Sequence, residues 1–347
     1  MLDFDLSERD KQILHAVVSM YIQTGEPVGS RAVWRRYKLP MSPATIRNIM
    51  ADLEEMGFFY QPHTSAGRVP TELGLRFYID ALLKKRPLPR QNKLKIKQDL
   101  KGVQSEYDID KVLQESSRLL SLYSHQTGIV IAPKFSRIIL KQIEFVRLNR
   151  HLVLAIIVGS TGVVYHRLIP NVSQISQDDL NKFANYLNAN FCGLTLGEVR
   201  KRLIEEMKKD KAEFDAIWGK IVHLGKSVLK PEKENVYIEG TANILNYPEF
   251  SDVERMKALL KAFEEKGIIA RLLERTMEEA RVQVFVGGEI TAEGLSDCSV
   301  VASPYTHGDI VLGSVAVIGP MRMNYAEVIP LVEYTAQVLS EILTKTD

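Results

Sequence analysis

The sequence predicts a multidomain α+β chain, and three observations predict it. At 347 residues it has room for two or three domains. Helical and alternating apolar patterns follow one another in blocks rather than in a regular βαβ rhythm. The charge is also divided: residues 1–97 hold 16 Lys or Arg against 10 Asp or Glu, whereas the remainder holds 29 against 33. A basic amino-terminal block on a mildly acidic body suggests an anionic partner for that block alone, although a solvated face accounts for such a surplus equally well. The 45% hydrophobic and 25% charged composition is that of a soluble globular protein. Cys192 and Cys298 form no C-x-x-C pair, which excludes a disulfide scaffold or a cysteine-built zinc site and fits a reducing cytoplasm. The start, MLDFDLSERD, lacks the basic flank and apolar run of a signal peptide, and LVLAIIVG at 152–159 is too short to span a bilayer. A cytoplasmic location is expected, with no membrane partner.

The elements follow in order. Ser7 caps a helix to Thr24 whose Ile13, Leu14, Val17, Val18, Tyr21 and Ile22 share one face. Gly25 and Pro27 break it, and Ser30 is expected to cap a short second helix to Tyr37. Ser42 followed by Pro43 starts a third helix, running to about Met56 with Gly57 as its left-handed cap. FFYQ at 58–61 and RVP at 68–70 are strand-like around the polar loop HTSAG, and Thr71 caps a helix with Leu75, Tyr78, Ile79, Leu82 and Leu83 on one face. Helix, helix, turn, helix, hairpin, helix is the order of a winged helix-turn-helix, assigned to residues 1–90.

PLPRQNK at 87–93 reads as a linker, and helical pattern resumes from about Leu94 to Ser124. Strands are expected at GIVIAP (128–133), IILKQIEFVRL (138–148), LVLAIIVG and VVYHRLI (163–169), then late at VQVFVG (282–287), SVVASPY (299–305) and IVLGSVAVIG (310–319). A helix from about Asn324 to Thr344 closes the chain. Ser176 to Leu229 is almost wholly helical, followed by VYIEGTANIL and a helix near Ser251 to Lys266. The economical reading is one sheet-bearing domain (94–172 and 279–347) interrupted by a mostly helical insertion (173–278).

On the third helix, Ile46, Ile49, Met50, Leu53 and Met56 cluster inward at 100° per residue, leaving Ala44, Arg47, Asn48, Ala51 and Glu55 outward. Arg pairs bidentately with guanine and Asn with adenine, and small neighbours permit close approach to a major groove. Ser42 and Thr45 at the helix start suit a phosphate beside free backbone N–H groups. Alone, this face fits an ordinary solvated helix at least as well. The hairpin tilts the balance, because HTSAGR carries the cation Arg68, with His63 and Ser65, and no acid lies between Phe58 and Thr71. A wing reaching the backbone or minor groove needs such a tip, since carboxylates there would repel phosphate. Ser42, Thr45, Arg47, Asn48, His63, Ser65 and Arg68 are therefore the candidate DNA contacts.

The stretch 41–80, with TIRN at 45–48 and PHTSAGRVPT at 62–71, resembles the HrcA family of heat-inducible transcriptional repressors. GPMRMNY at 319–325 resembles the family's carboxy-terminal signature, and VGGE at 286–289 also matches. Ile49 stands where the family often has an acid, and Leu75 where a tyrosine is expected. The resemblance implies a winged helix-turn-helix joined to a GAF-like domain with an inserted dimerisation domain. It further implies a homodimer repressing chaperone operons at the inverted-repeat operator CIRCE, with activity coupled to the GroE chaperonin.

Enzymatic readings have little to stand on. The sequence has no G-x-S-x-G, H-E-x-x-H, Walker loop or post-strand G-x-G-x-x-G. His15, His63, His125, His151, His166, His223 and His307 show no metal-ligand spacing, so no metal, cofactor or catalytic residue is expected. Cys298 reads as a small buried residue, and GSTG at 159–162 as a hairpin turn. The rival from another class is a regulator whose sheet-rich body senses a small molecule.

Overall fold

The structure, a computed structural model, describes residues 6–104, 109–160, 162, 164–171, 174–209 and 235–344. The end of the expected helical stretch, from 210 to 229, lies outside them. No helix among the described residues is long and apolar enough to cross a membrane. The chain is mixed α and β, and its described strands form three antiparallel sheets.

The amino-terminal block comprises α1 (Glu8–Thr24), α2 (Ser30–Tyr37), α3 (Pro43–Glu55), the two-stranded hairpin β1 (Phe59–Tyr60) and β2 (Val69–Pro70), and α4 (Glu72–Phe77). A single π-helical turn over Tyr78–Leu82 continues α4. Local chemistry sets the ends. Ser7 and Asp10 form a reciprocal capping box on α1, and Gly25 closes it with φ of 72°. The second helix departs from expectation: Gly29 is its N-cap, without a side-chain bond, and Ser30 is its buried first residue. Ile13, Leu14, Val17, Val33, Ile46, Met50, Leu53 and Phe58 fill the core of this block. Met56, expected inside, is 48% exposed because α3 ends one residue before it.

The body is a three-layer arrangement. Its sheet runs β7 (Val236–Glu239), β3 (Thr127–Ile131), β10 (Ile310–Pro320), β9 (Cys298–His307), β8 (Gln283–Val286). Because side chains alternate across a strand, Val130, Val301, Val315 and Val317 meet α5 (Arg90–Gln104), α6 (Ile109–Ser124) and α11 (Tyr325–Thr344) on one face. Ile129, Ile131, Val300, Ala302, Ala316 and Ile318 meet α9 (Val253–Glu264) and α10 (Lys266–Glu279) on the other. Burial on both faces explains the unbroken apolar runs in the sequence.

A separate unit lies between β3 and β7. Strands β4 (Leu140–Asn149), β5 (Leu152–Gly159) and β6 (Val164–Pro170) form their own sheet against α7 (Gln177–Phe191) and α8 (Leu196–Lys209). Ile138, Ile143, Phe145, Val153, Ile157, Phe183, Leu187 and Leu203 share its core. The expected division at 94–172, 173–278 and 279–347 is thereby corrected. The interruption begins near Ile138 and carries a sheet, while Val236–Glu239, α9 and α10 return to the body. The reason is burial: β5 buries every second residue on one face only, yet its other face, Leu152, Leu154, Ile156 and Val158, is apolar too. Composition alone cannot separate such a strand from one buried on both sides.

Side-chain amides of α7 close one edge of this sheet. Asn188 accepts from the Ile143 N–H at 2.8 Å and donates to its carbonyl at 3.0 Å. Gln177 accepts from the Arg147 N–H and donates to the Phe145 carbonyl, both at 2.8 Å. The exposed row of backbone groups on β4 is thus paired.

The expected linker is also corrected. Its Arg90 already belongs to α5, and the preceding residues are strapped to α11 by Lys85–Glu333 at 2.7 Å and by the Arg86 N–H to the Ala326 carbonyl at 2.9 Å. The amino-terminal block receives Val286 of β8 into its own core. Burying that side chain contributes about 1.5 kcal/mol to the docking of block on body.

Candidate nucleic-acid interface

Helix α3 begins where proline and its cap dictate. The Ser42 hydroxyl accepts from the Thr45 N–H at 3.1 Å, and the two hydroxyls are 3.0 Å apart. Pro43 occupies the first turn, where a missing N–H costs nothing. The helix ends in a Schellman pair: the Phe58 N–H bonds the Leu53 carbonyl and the Gly57 N–H bonds that of Glu54, each at 2.9 Å, with Gly57 at φ of 84°. With both ends pinned and Ile46, Met50 and Leu53 buried, Ser42, Thr45, Arg47 and Asn48 are all exposed. Ile49 is half-buried, so its departure from the family pattern leaves the outward face unchanged.

The loop of the hairpin is built by its own residues. The Gln61 side-chain amide donates to the carbonyls of Thr64 and Ala66, both at 2.9 Å, and the Ala66 N–H bonds the His63 carbonyl at 2.8 Å. His63, Thr64 and Ser65 are exposed at its tip. Arg68 and Val28 exchange backbone hydrogen bonds of 2.9 Å in both directions, tying the hairpin to the start of α2. That approach leaves no room beside Gly67, where an added Cβ would overlap the Val28 carbonyl.

Arg68 differs from the sequence expectation. Its side chain is only 15% exposed and pairs with Glu54 of α3 at 2.7 Å. It is therefore a brace between hairpin and helix rather than a free cation at the tip. The structure brings Ser42, Thr45, Arg47 and Asn48 together on the exposed start of one helix, puts His63 and Ser65 on the loop, and sets Arg68 between the two elements.

Sequence reasoning placed α2 but gave its side chains no role. Arg31, Arg35 and Arg36 are exposed there, as is Trp34 at 44%. The signal was present: residues 27–51 carry five basic side chains and no acid. Gln61 was also missed, because its partners are backbone carbonyls that no spacing rule announces. Elsewhere, burial pushes the Cys298 thiol up to about 12, which leaves it protonated and unsuited to nucleophilic work.

Comparison with known proteins agrees over the whole chain. A family model described as the HrcA protein C terminal domain matches residues 110–329. The heat-inducible transcription repressor HrcA of Syntrophobacter fumaroxidans is 45% identical over 342 residues, covering 98% of each chain. Its counterpart from Geobacter sulfurreducens is 45% identical over 339 residues, again with 98% of each covered. A crystal structure of a hypothetical protein at 2.2 Å resolution is similar in fold, with a TM-score of 0.62 and 25% identity over 99% of this chain and 100% of that one. The chain belongs to the HrcA family of heat-inducible transcription repressors.

Proposed function

We propose that this chain is a non-enzymatic, cytoplasmic repressor of heat-shock chaperone operons that binds the CIRCE inverted repeat as a homodimer. The observation that carries the reading is the exposed start of α3. Arg47 and Asn48, the two side chains best suited to reading base edges, stand outward on a helix whose opposite face is core. In this reading residues 6–82 are a winged helix-turn-helix, with α3 in the major groove, α2 across the backbone through Arg31 and Arg35, and the loop bearing His63 and Ser65 as the wing. Ser42 and Thr45 position the helix start on phosphate, and Arg68 holds wing and helix in register.

The five-stranded body takes the part of the GAF-like domain, and residues 138–209 that of the dimerising insert. A symmetric operator calls for a two-fold protein. The outer face of the β4–β5–β6 sheet supports this, since Val146, Leu148, Val164 and Leu168 are 40–57% exposed around the apolar stripe of β5. A patch of this kind marks a protein interface. Coupling to the GroE chaperonin is carried over from the family resemblance.

The test is a mobility-shift titration of the intact repeat against a duplex with one half-site scrambled, at fixed salt, with and without the chaperonin. Preference for the intact repeat by about a thousandfold is expected. Equal, salt-sensitive binding to both duplexes would overturn specific repression. If the preference does not change with chaperonin, the coupling is wrong and the repressor reading stands.

A second reading, a regulator gated by a small molecule, is favoured by a cleft of about 320 Å³ between the end of α1 and the body. Ile22 and Gln23 line one side, and Tyr123, Tyr247 and Arg322 the other. A metabolite thermal-shift screen on the full chain separates the two readings.

A further inference from the structure

VGGE and PMRMN find their roles at the junction between the amino-terminal block and the body. Arg76 of α4 reaches across it: its Nε donates to Glu289 at 2.8 Å, a terminal nitrogen bonds the same carboxylate, and the guanidinium also donates to the Val284 carbonyl at 2.7 Å. Glu289 is itself held, accepting from the Val286 N–H at 2.9 Å. Burial works against the charged Arg76 guanidinium, but the bonds and charge of Glu289, with those of Asp80 one turn on, outweigh it and raise its pKa.

The surroundings fit around that pair. Gly287 has φ of 54°, and a Cβ there would overlap the Glu72 carboxylate of α4. Val286 is 1% exposed, inside the core of the amino-terminal block. On the far side of the junction, Arg322 packs against Gly25 at the end of α1, pairs with Glu249 and covers the Tyr247 ring at 5.0 Å. Arg86 adds a contact to Glu327 at 3.2 Å. A block tied to the body by bidentate pairs, buried apolar residues and a strapped connection has a fixed orientation on it.

We infer that Arg76 and Glu289 form a positioning clamp that fixes the direction in which α3 is presented and so sets the half-site spacing the dimer accepts. This rests on the reading of the chain as a dimeric reader of an inverted repeat. Two reading heads joined through rigid bodies engage both half-sites only at one separation, whereas loosely joined heads tolerate several. Neither residue needs to touch DNA. Their effect is on the geometry of the second contact once the first has formed.

The experiment compares wild type, Arg76→Ala, Glu289→Ala and the double variant. Each is titrated on a single half-site and on inverted repeats whose spacer is altered in steps through about half a helical turn. The clamp predicts unchanged half-site affinity in all four proteins. Each variant should lose about tenfold on the preferred spacer, with a flatter spacer profile, and the double variant should be no worse than either single one. A spacer profile of unchanged shape in folded variants would overturn the clamp, as would an equal loss on the half-site. If Arg76→Ala does not fold, Glu289→Ala decides, because its side chain is 41% exposed and lies outside α4. Wild type that gains equally from every spacer would also overturn the clamp, whereas wild type that binds no repeat more tightly than the single half-site would overturn the dimeric reading itself; both outcomes are visible without any variant.

Discussion

Arg68 of the hairpin and Glu54 of α3 form an ion pair at 2.7 Å, with 15% and 31% of their side chains exposed. The pair joins the two surfaces that meet DNA in the proposed reading, and one predicted contact thereby becomes a support. Arg68→Ala should lower the stability of the amino-terminal block by about 1 kcal/mol. Binding to the operator should weaken while the salt slope stays as in wild type, because no phosphate contact is lost. A slope flattened by about one unit would return Arg68 to the phosphate-binding set.

Arg47→Ala should cost about 1–3 kcal/mol at the operator and relax discrimination at one base position. Asn48→Ala should do the same at a different position. Binding-site selection with each variant checks this, and loss of equal size on random DNA would remove both residues from base reading.

The exposed arginines of α2 predict the opposite pattern. Arg31→Ala and Arg35→Ala should weaken binding to every sequence alike, each flattening the dependence of log K on log salt by about one unit. Titrations on specific and random duplexes across a range of salt measure it.

The apolar sheet face predicts the oligomeric state. In the register of the three strands, Val146, Leu154 and Leu168 fall in one row. Leu154→Glu with Leu168→Glu should yield a folded monomer by sedimentation equilibrium, with half-site binding retained and inverted-repeat avidity lost. A variant that remains dimeric would place the interface elsewhere.

His15, packed beside Tyr78 with ring centroids 5.5 Å apart, predicts a pH dependence. Burial first, and then the charge of Lys84, lowers its pKa below 6.5. The folded block therefore favours the neutral ring, so its contribution is complete above pH 6.5 and is lost as pH falls towards the lower folded value. His15→Phe should flatten that loss in thermal melts between pH 5 and 7.

Much of the amino-terminal block was legible because its signals are local. Ser42–Pro43 and Thr71 act within one turn of themselves, and the inward stripe of α3 needs only a helical period. Arg68 was not legible, since its partner comes from another element and a hairpin cation reads alike whether free or braced. The start of α5 was hidden by flanking prolines, and the second sheet by its central strand β5, whose outer face is as apolar as its inner one. VGGE and PMRMN were visible as motifs, but their role depends on a junction that exists only in three dimensions.

The amides of Asn188 and Gln177 that close the edge of β4 have a consequence for synthesis. The three-strand meander ends at Pro170, and its guard comes after it in the chain. As the chain grows from its amino terminus, a nascent sheet with its β4 edge bare and an apolar inner face uncovered precedes the helix that shields both. This interval exposes the sheet to self-association, and for the β4 edge it ends when α7 has emerged far enough to fold back.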